Sequence, residues 1–311
     1  AYETHARGES SLPHSSFLLF PGQPRDRIIA LPAYLGGSEP SAGIKWVSSF
    51  PGNLELGLDR ASAVLILNST RTGRPESFIE GSVISAKRTA ASAALAAQHL
   101  QGGRRSESAS LIGCGLINFE IARFLLAACP EIRRLTLFDL SAARARHFAE
   151  RCRELDREVE VELAPEVKAA LGASPLVALA TTAATPHIHD LSPCADGATL
   201  LHISLRDLAP EVILASDNVV DDVDHVSRAQ TSIHLAEQQV GNRDFVRCTL
   251  ADVTSGAAPA RREEGGITVF SPFGLGVLDL AVGKLVQGLA REQGRALVVD
   301  SFLPEPWEAK H

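Results

Sequence analysis

Gly113-Cys114-Gly115-Leu116-Ile117-Asn118 follows a short apolar run, Ala109 to Ile112, and opens a helical stretch. In that order the first glycine permits a tight turn, the second lets backbone amides approach a pyrophosphate, and the helix N-terminus adds positive dipole. The next apolar run ends in Phe138-Asp139, about 20 residues on, where a dinucleotide fold places an acid that accepts both ribose hydroxyls. Asp139 repels a 2′-phosphate and so favours NAD over NADP, although Arg144 and Arg146 follow within two helical turns. Asn118 stands where a third glycine or alanine is usual, which predicts looser packing of helix on strand there. The expected cofactor contacts are Gly113, Gly115, Leu116, Ile117, Asp139 and Thr182.

Three charges interrupt otherwise bland patterns. Lys45 breaks the apolar strand Gly43-Ile44-Lys45-Trp46-Val47, a placement that fits a solvated edge or a pocket. Arg88 falls in the first turns of an Ala-rich helix, where the dipole disfavours a cation. An anionic partner would explain it, as would plain surface exposure. Asp207 follows the run Leu200-Leu201-His202-Ile203 at the carboxyl end of a predicted parallel strand. Ligands bind at that edge in open α/β sheets, and loop aspartates also cap turns. His187 and His189 would share a face of a strand, but no third ligand accompanies them, so no metal site is expected. His202 reads as a hydrogen-bonded core residue, and Phe273-Gly274-Leu275-Gly276 as a turn that opens the last helix and passes beside a cofactor.

The elements that must hold these residues divide in two. Arg27 to Pro32, Gly43 to Phe50, Ser62 to Asn68 and Glu76 to Ile79 predict three or four antiparallel strands, separated by Gly/Pro/Asn turns. An Ala-rich helix runs from Ser82 to about Leu100. Strands and helices then alternate: strand 109–112, helix 116–129, strand 134–138, helix 142–155, strands 158–163, 175–180, 198–203 and 218–220, and one helix 223–239. Alternation of this kind predicts a parallel sheet covered on both faces. After a polar loop, 256–266, come a strand at 267–270 and a helix from Val277 to about Arg291. The fold class is therefore α/β, a doubly wound Rossmann-type parallel sheet plus a smaller, mainly antiparallel α+β domain. The expected division is 1–102, completed by 267–311, for substrate binding and dimerisation, and 103–266 for the dinucleotide.

A balance of 30 Lys and Arg against 37 Asp and Glu, net −7, argues against nucleic acid or an anionic membrane as the main partner. At 45% hydrophobic and 22% charged the composition is that of a soluble globular protein, with no run long enough to span a bilayer. Five scattered cysteines with no CxxC pair suggest neither disulfides nor zinc and fit a reducing cytoplasm. With no methionine and no signal-like opening, the sequence is expected to start inside a longer gene product and to carry no secretory signal. The nearly unbroken apolar run from Ser62 to Leu67 predicts a surface that a second copy covers, hence a homodimer.

Four stretches in order resemble the ornithine cyclodeaminase/μ-crystallin family: Gly43 to Val47 with Pro51-Gly52-Asn53, Lys87-Arg88-Thr89-Ala90-Ala91, the glycine loop with Phe138-Asp139, and Thr268-Val269-Phe270 ahead of Val277-Leu278-Asp279. Residues 6–17 and 270–280 look like the branch of dehydrogenases that make 2,3-diaminopropionate for siderophores and peptide antibiotics. Ser271-Pro272 stands where cyclodeaminases carry Asp-Ser. The resemblance implies NAD-dependent oxidation of N-(1-amino-1-carboxy-2-ethyl)-glutamate at the glutamate α-carbon, then hydrolysis to 2-oxoglutarate and 2,3-diaminopropionate. It implies carboxylate binding by Lys45 and Arg88 with Arg7 as a third cation, and proton transfer by Asp207, shared with Lys45. The competing readings are a cyclodeaminase or ketimine reductase, and a dinucleotide-dependent binding protein like μ-crystallin.

Overall fold

The computed structural model describes every residue except 156, 157, 264, 306 and 308–311; residue 264 of the polar loop and the end of the expected 267–311 segment lie outside it. The chain opens with a short helix α1 (Tyr2–Ala6), then strands β1 (Ser10–Ser11), β2 (Ser16–Phe20), β3 (Gln23–Leu35), β4 (Ser41–Ser49), β5 (Ala61–Asn68) and β6 (Pro75–Glu80), followed by helix α2 (Ser82–Leu100). The strands form one six-stranded antiparallel sheet, in which β1 and β2 both pair with β3. The expected strand at Arg27 to Pro32 is thus the middle of a longer β3, and β1 and β2 precede it. Pro21-Gly22, with Gly22 at φ 79°, turns β2 back onto β3, and pairing with β3 fixes its conformation.

The alternating strand β5 turns Ala63, Leu65 and Leu67 inward. Each fully buried leucine contributes about 1.5–3 kcal/mol. The outward set includes Trp46 opposite Val64 and Ile66 opposite Phe78.

The second unit contains β7 (Ser108–Ile112), α3 (Leu116–Ala128), β8 (Arg134–Phe138), α4 (Ala142–Leu155), β9 (Glu160–Leu163), α5 (Val167–Gly172), β10 (Leu176–Leu179) and β11 (Thr199–His202). It continues through α6 (Pro210–Leu214), β12 (Asp217–Val220), α7 (Val223–Val226), α8 (Ser232–Val240), β13 (Val246–Thr249), α9 (Leu250–Thr254), β14 (Thr268–Ser271) and α10 (Gly276–Glu292). Its eight strands pair in parallel in the order β13-β12-β14-β11-β10-β7-β8-β9. This is the doubly wound parallel sheet, with its strand order reversing beside β7.

Two differences from expectation bear on the site. The strand near 268, read from sequence as part of the segment returning to the first unit, lies inside the parallel sheet between β11 and β12. Only α10 beyond it packs on β3, β4 and β5. The single helix expected over 223–239 is two helices. Ala229 and Gln230 adopt positive φ (54° and 57°), and the Thr231 side chain accepts from the His234 amide to start α8.

Small residues let the units close on each other. Ala90, Ala93, Ala94, Ala96 and Ala97 of α2 are buried in one apolar cluster with Leu65 and Leu67 of the antiparallel sheet and Leu111 and Leu135 of the parallel one. Among the described residues no helix is long and apolar enough to cross a membrane, and no three His, Cys, Asp or Glu side chains gather as a metal set. The five cysteines are free thiols.

Candidate active site

The glycine loop joins β7 to α3 at the carboxyl edge of the parallel sheet. Gly113 has φ +92°, and a Cβ there would lie 2.6 Å from the Ala180 carbonyl oxygen and 3.3 Å from the Thr181 Cα, so no side chain fits. Gly115 is the opposite case: its Cβ would enter open space. That opening, at the N-terminus of α3, is the cradle a pyrophosphate requires. Asn118 is fully buried and donates from Nδ2 to the Ile112 and Gly113 carbonyls at 2.8 and 2.7 Å. Hydrogen bonds therefore fasten helix to strand where small-residue packing was missing. Asp139, at the end of β8, accepts from the Cys114 and Ser141 amides, each at 2.8 Å. One carboxylate thereby fixes the loop's conformation from the end of the neighbouring strand. Leu116 and Thr182 are exposed and Ile117 half-buried around the same edge.

Lys45 faces inward. Its Nζ lies 2.7 Å from Asp279 Oδ2 and 3.3 Å from Ser85 Oγ, with 3% of the side chain exposed. Arg88 reaches the other oxygen, Nε to Oδ1 at 3.0 Å. Three elements, β4, α2 and α10, thus converge on one fully buried carboxylate. Burial pushes the Lys45 ammonium down to about 8, helped by Arg88 and opposed by Asp279. Burial works to raise the Asp279 carboxyl, but the two cations outweigh it and hold it low. Two cations against one anion leave a net positive charge in a water-poor place, where an incoming carboxylate is most strongly attracted. Arg88 uses Nε on Asp279 and so presents its two terminal nitrogens beside Gly274. A Cβ on Gly274, whose φ is +93°, would sit 2.8 Å from Nη1. The turn 273–276 therefore passes beside the arginine.

Asp207 is fully buried. The Thr181 hydroxyl donates to its Oδ1 and the Ser204 hydroxyl to its Oδ2. His187 Nε2 lies 3.0 Å from Oδ1, and the Asp207 amide donates to His202 Nε2 at 3.2 Å. Burial tends to raise the carboxyl, yet His202, Ser204 and Thr181 together hold it well below the usual carboxylate range. His202, buried as expected, reaches Ser271 Oγ through Nδ1 at 3.0 Å.

The two clusters flank one short segment. Ser271 touches the Asp207 cluster through His202, and three residues later Gly274 touches Arg88. Asp221, at the end of β12, holds that segment by accepting from the Phe273 and Gly274 amides at 2.9 and 2.7 Å. On the other side, Thr181 joins Asp207 to the glycine loop through its contact with Gly113. Asp207 thus stands between the glycine loop and the turn beside Arg88.

Arg7 is placed elsewhere. It is more than half exposed, and its Nε lies 2.9 Å from Glu9 Oε1. Its charge is spent on a neighbour two residues away. The N-terminal helix reaches the site by other residues: the Tyr2 hydroxyl donates to Ser92 Oγ at 3.1 Å, and His5 Nε2 lies 3.1 Å from Asp222 Oδ2. His187 and His189 diverge, the first to Asp207 and the second to Glu211 at 2.8 Å. Asp279, Thr181, Ser204 and Asp221 were not singled out from sequence. Asp279 alone gave a signal, as an acid inside an apolar helix.

The sequence profile described as the ornithine cyclodeaminase/mu-crystallin family matches residues 7–294. The chain is similar to the N-((2S)-2-amino-2-carboxyethyl)-L-glutamate dehydrogenase of Staphylococcus aureus, 29% identical over 88% of this chain and 81% of that protein. The solved structure of CmnK superposes with a TM-score of 0.87 at 31% identity, covering 97% of this chain and 91% of the other. An archaeal alanine dehydrogenase dimer with bound NAD gives 0.85 at 26% identity, covering 97% and 92%. Matched over nearly its whole length and sharing that architecture, the chain belongs to the ornithine cyclodeaminase/mu-crystallin family.

Proposed function

We propose that the protein catalyses NAD-dependent oxidative cleavage of N-(1-amino-1-carboxy-2-ethyl)-L-glutamate to 2-oxoglutarate and 2,3-diaminopropionate. The observation that carries this reading is the buried Lys45–Asp279–Arg88 set, an excess positive charge suited to a polycarboxylate amine. The name of the Staphylococcus aureus relative supplies the specific substrate.

Gly113, Gly115, Leu116, Ile117, Asp139 and Thr182 would hold the dinucleotide, which supplies a hydride acceptor when bound. Asp139 accepts from the ribose hydroxyls while keeping the loop in place. The terminal nitrogens of Arg88 take a substrate carboxylate in bidentate fashion. A held carboxylate fixes the α-carbon, its hydrogen and the amine relative to the nucleotide edge. The amine must be neutral before its α-carbon is oxidised, and Lys45, with its ammonium pulled down to about 8, takes that proton after releasing its own to solvent. Asp207 stays ionised and stabilises positive charge as it develops on the amine nitrogen.

We further propose a homodimer through the outer face of the antiparallel sheet, where Trp46 and Phe78 are exposed at 40% and 74%. The test of function is to incubate the protein with NAD and the glutamate adduct, follow reduced nicotinamide by absorbance and identify products by mass spectrometry. Equal amounts of NADH, 2-oxoglutarate and 2,3-diaminopropionate are expected. A cyclodeaminase would consume ornithine with no net NADH, and a binding protein would give no product.

A further inference from the structure

Asp207 has no open side. Oδ1 is occupied by Thr181 and His187, Oδ2 by Ser204, and none of its surface reaches solvent. A carboxylate so enclosed and so firmly ionised orients and polarises its neighbours but has no path to a water molecule on the substrate. Of the groups around it, His187 has the most exposed side chain, at 38%. Because an ionised carboxylate only accepts, the 3.0 Å contact requires the proton on His187 Nε2. The lone pair of Nδ1 is then left for a second partner.

The ring is held twice, since the His187 amide also donates to the Asp207 carbonyl at 3.0 Å. Its place in the fold is the carboxyl edge of β10 and β11. There Asp207 is one hydrogen bond from Thr181, which abuts Gly113, and His202 leads from Asp207 to Ser271 and the turn beside Arg88. A carboxylate that fixes one imidazole nitrogen and leaves the other free is the arrangement general bases use.

We propose that His187 is the proton-transfer residue of the hydrolytic half-reaction, with Asp207 as its positioning residue. This rests on the oxidative cleavage proposed above. Water adds to the iminium carbon as one of its protons passes to His187 Nδ1, and the C=N π pair moves to nitrogen. Nδ1–H then returns that proton to the nitrogen. The C–N bond breaks with its electrons on the departing amine, and the carbinol O–H proton is lost to water as the carbonyl of 2-oxoglutarate forms. Oxidation is complete before these steps, so no further oxidant is needed.

The test compares the parent, His187→Ala and Asp207→Asn by rapid mixing with NAD and the glutamate adduct. NADH and 2-oxoglutarate are read separately. For His187→Ala a rapid burst of about one NADH per site is expected, then turnover slowed roughly 10²–10⁴-fold, with KM within a few-fold of the parent. Added imidazole should restore 2-oxoglutarate release to His187→Ala but not to Asp207→Asn, which keeps its own ring. A structural role would show neither the burst nor the rescue. An active parent with His187→Ala unchanged in kcat, or slowed without burst and deaf to imidazole, overturns the proposal alone. A parent that forms no NADH overturns the cleavage reading and this proposal with it.

Discussion

Lys45 and Asp279 lie 234 positions apart in sequence and 2.7 Å apart in space. One stands on the antiparallel sheet, the other on the helix that returns to it after the parallel sheet is complete. Asp279→Asn leaves Lys45 and Arg88 buried together with no counter-charge. Breaking a buried pair in this way costs about 3–5 kcal/mol. The midpoint of denaturant unfolding should fall accordingly, and KM for a carboxylate substrate should rise in the fraction that remains folded.

The two glycines of the nucleotide loop should separate fold from binding. Gly113→Ala meets the Ala180 carbonyl at 2.6 Å in a backbone conformation reserved for glycine, so it should lower the melting temperature. Gly115→Ala has an ordinary φ of −100° and empty space around its Cβ. It should melt like the parent while quenching of protein fluorescence by NADH shifts to higher concentration.

Asp139 braces the Cys114 amide, has Arg144 Nη1 4.0 Å from it, and in the proposed function also accepts from the ribose. Asp139→Ser should lower kcat/KM for NAD by the loss of charge-assisted hydrogen bonds, about 1.5–3 kcal/mol. Relief of repulsion, with Arg144 near, should raise kcat/KM for NADP in the same assay.

A third set of contacts predicts how stability follows pH. Asp222 is bound to His225 through Nδ1 at 2.9 Å and to His5. Burial opposes, but His225 and His5 hold the Asp222 carboxyl below its usual value, while the hydrogen bond to Asp222 raises His225 above 6.5. The carboxylate's contribution is present above 3.8 and lost as pH falls below it; the histidine's is complete below 6.5 and lost as pH rises through its elevated value. The melting-temperature gap between parent and Asp222→Asn should therefore be widest between those limits and shrink on both sides.

Trp46→Glu or Phe78→Glu places a charge on the outer face of the antiparallel sheet without touching its packed face. Light scattering should report a monomer for either variant and a dimer for the parent, with unchanged far-ultraviolet circular dichroism.

How much of this was legible beforehand depends on whether a residue's meaning is local. The glycine loop and Asp139 were readable because a turn, a helix start and a strand end are set by neighbours in sequence. Helix Ala142–Leu155 and strand Arg134–Phe138 were readable to the residue for the same reason. Lys45 and Arg88 were visible as charges out of place, but whether they met solvent or a partner was undecided until Asp279 arrived from α10. Thr181 and Ser204 look like any hydroxyl in a loop, and only the long-range meeting of β10 and β11 gathers them on Asp207. Arg7 was the reverse, a cation whose local partner Glu9 outcompeted the distant site. The split between α7 and α8 was missed because periodicity continues across Ala229 and Gln230 while the backbone does not.

Strand β14 enters between β11 and β12 after both have been made. On the ribosome the nascent chain therefore holds only the other seven strands, β12 and β13 on one side of a vacant slot and β11 with its neighbours on the other, two bare edges facing each other until residues 268–271 are released. Parallel pairing over such sequence separation is slow to form, and exposed edges invite pairing with other chains. Late truncations of this protein should aggregate rather than yield a smaller soluble nucleotide binder.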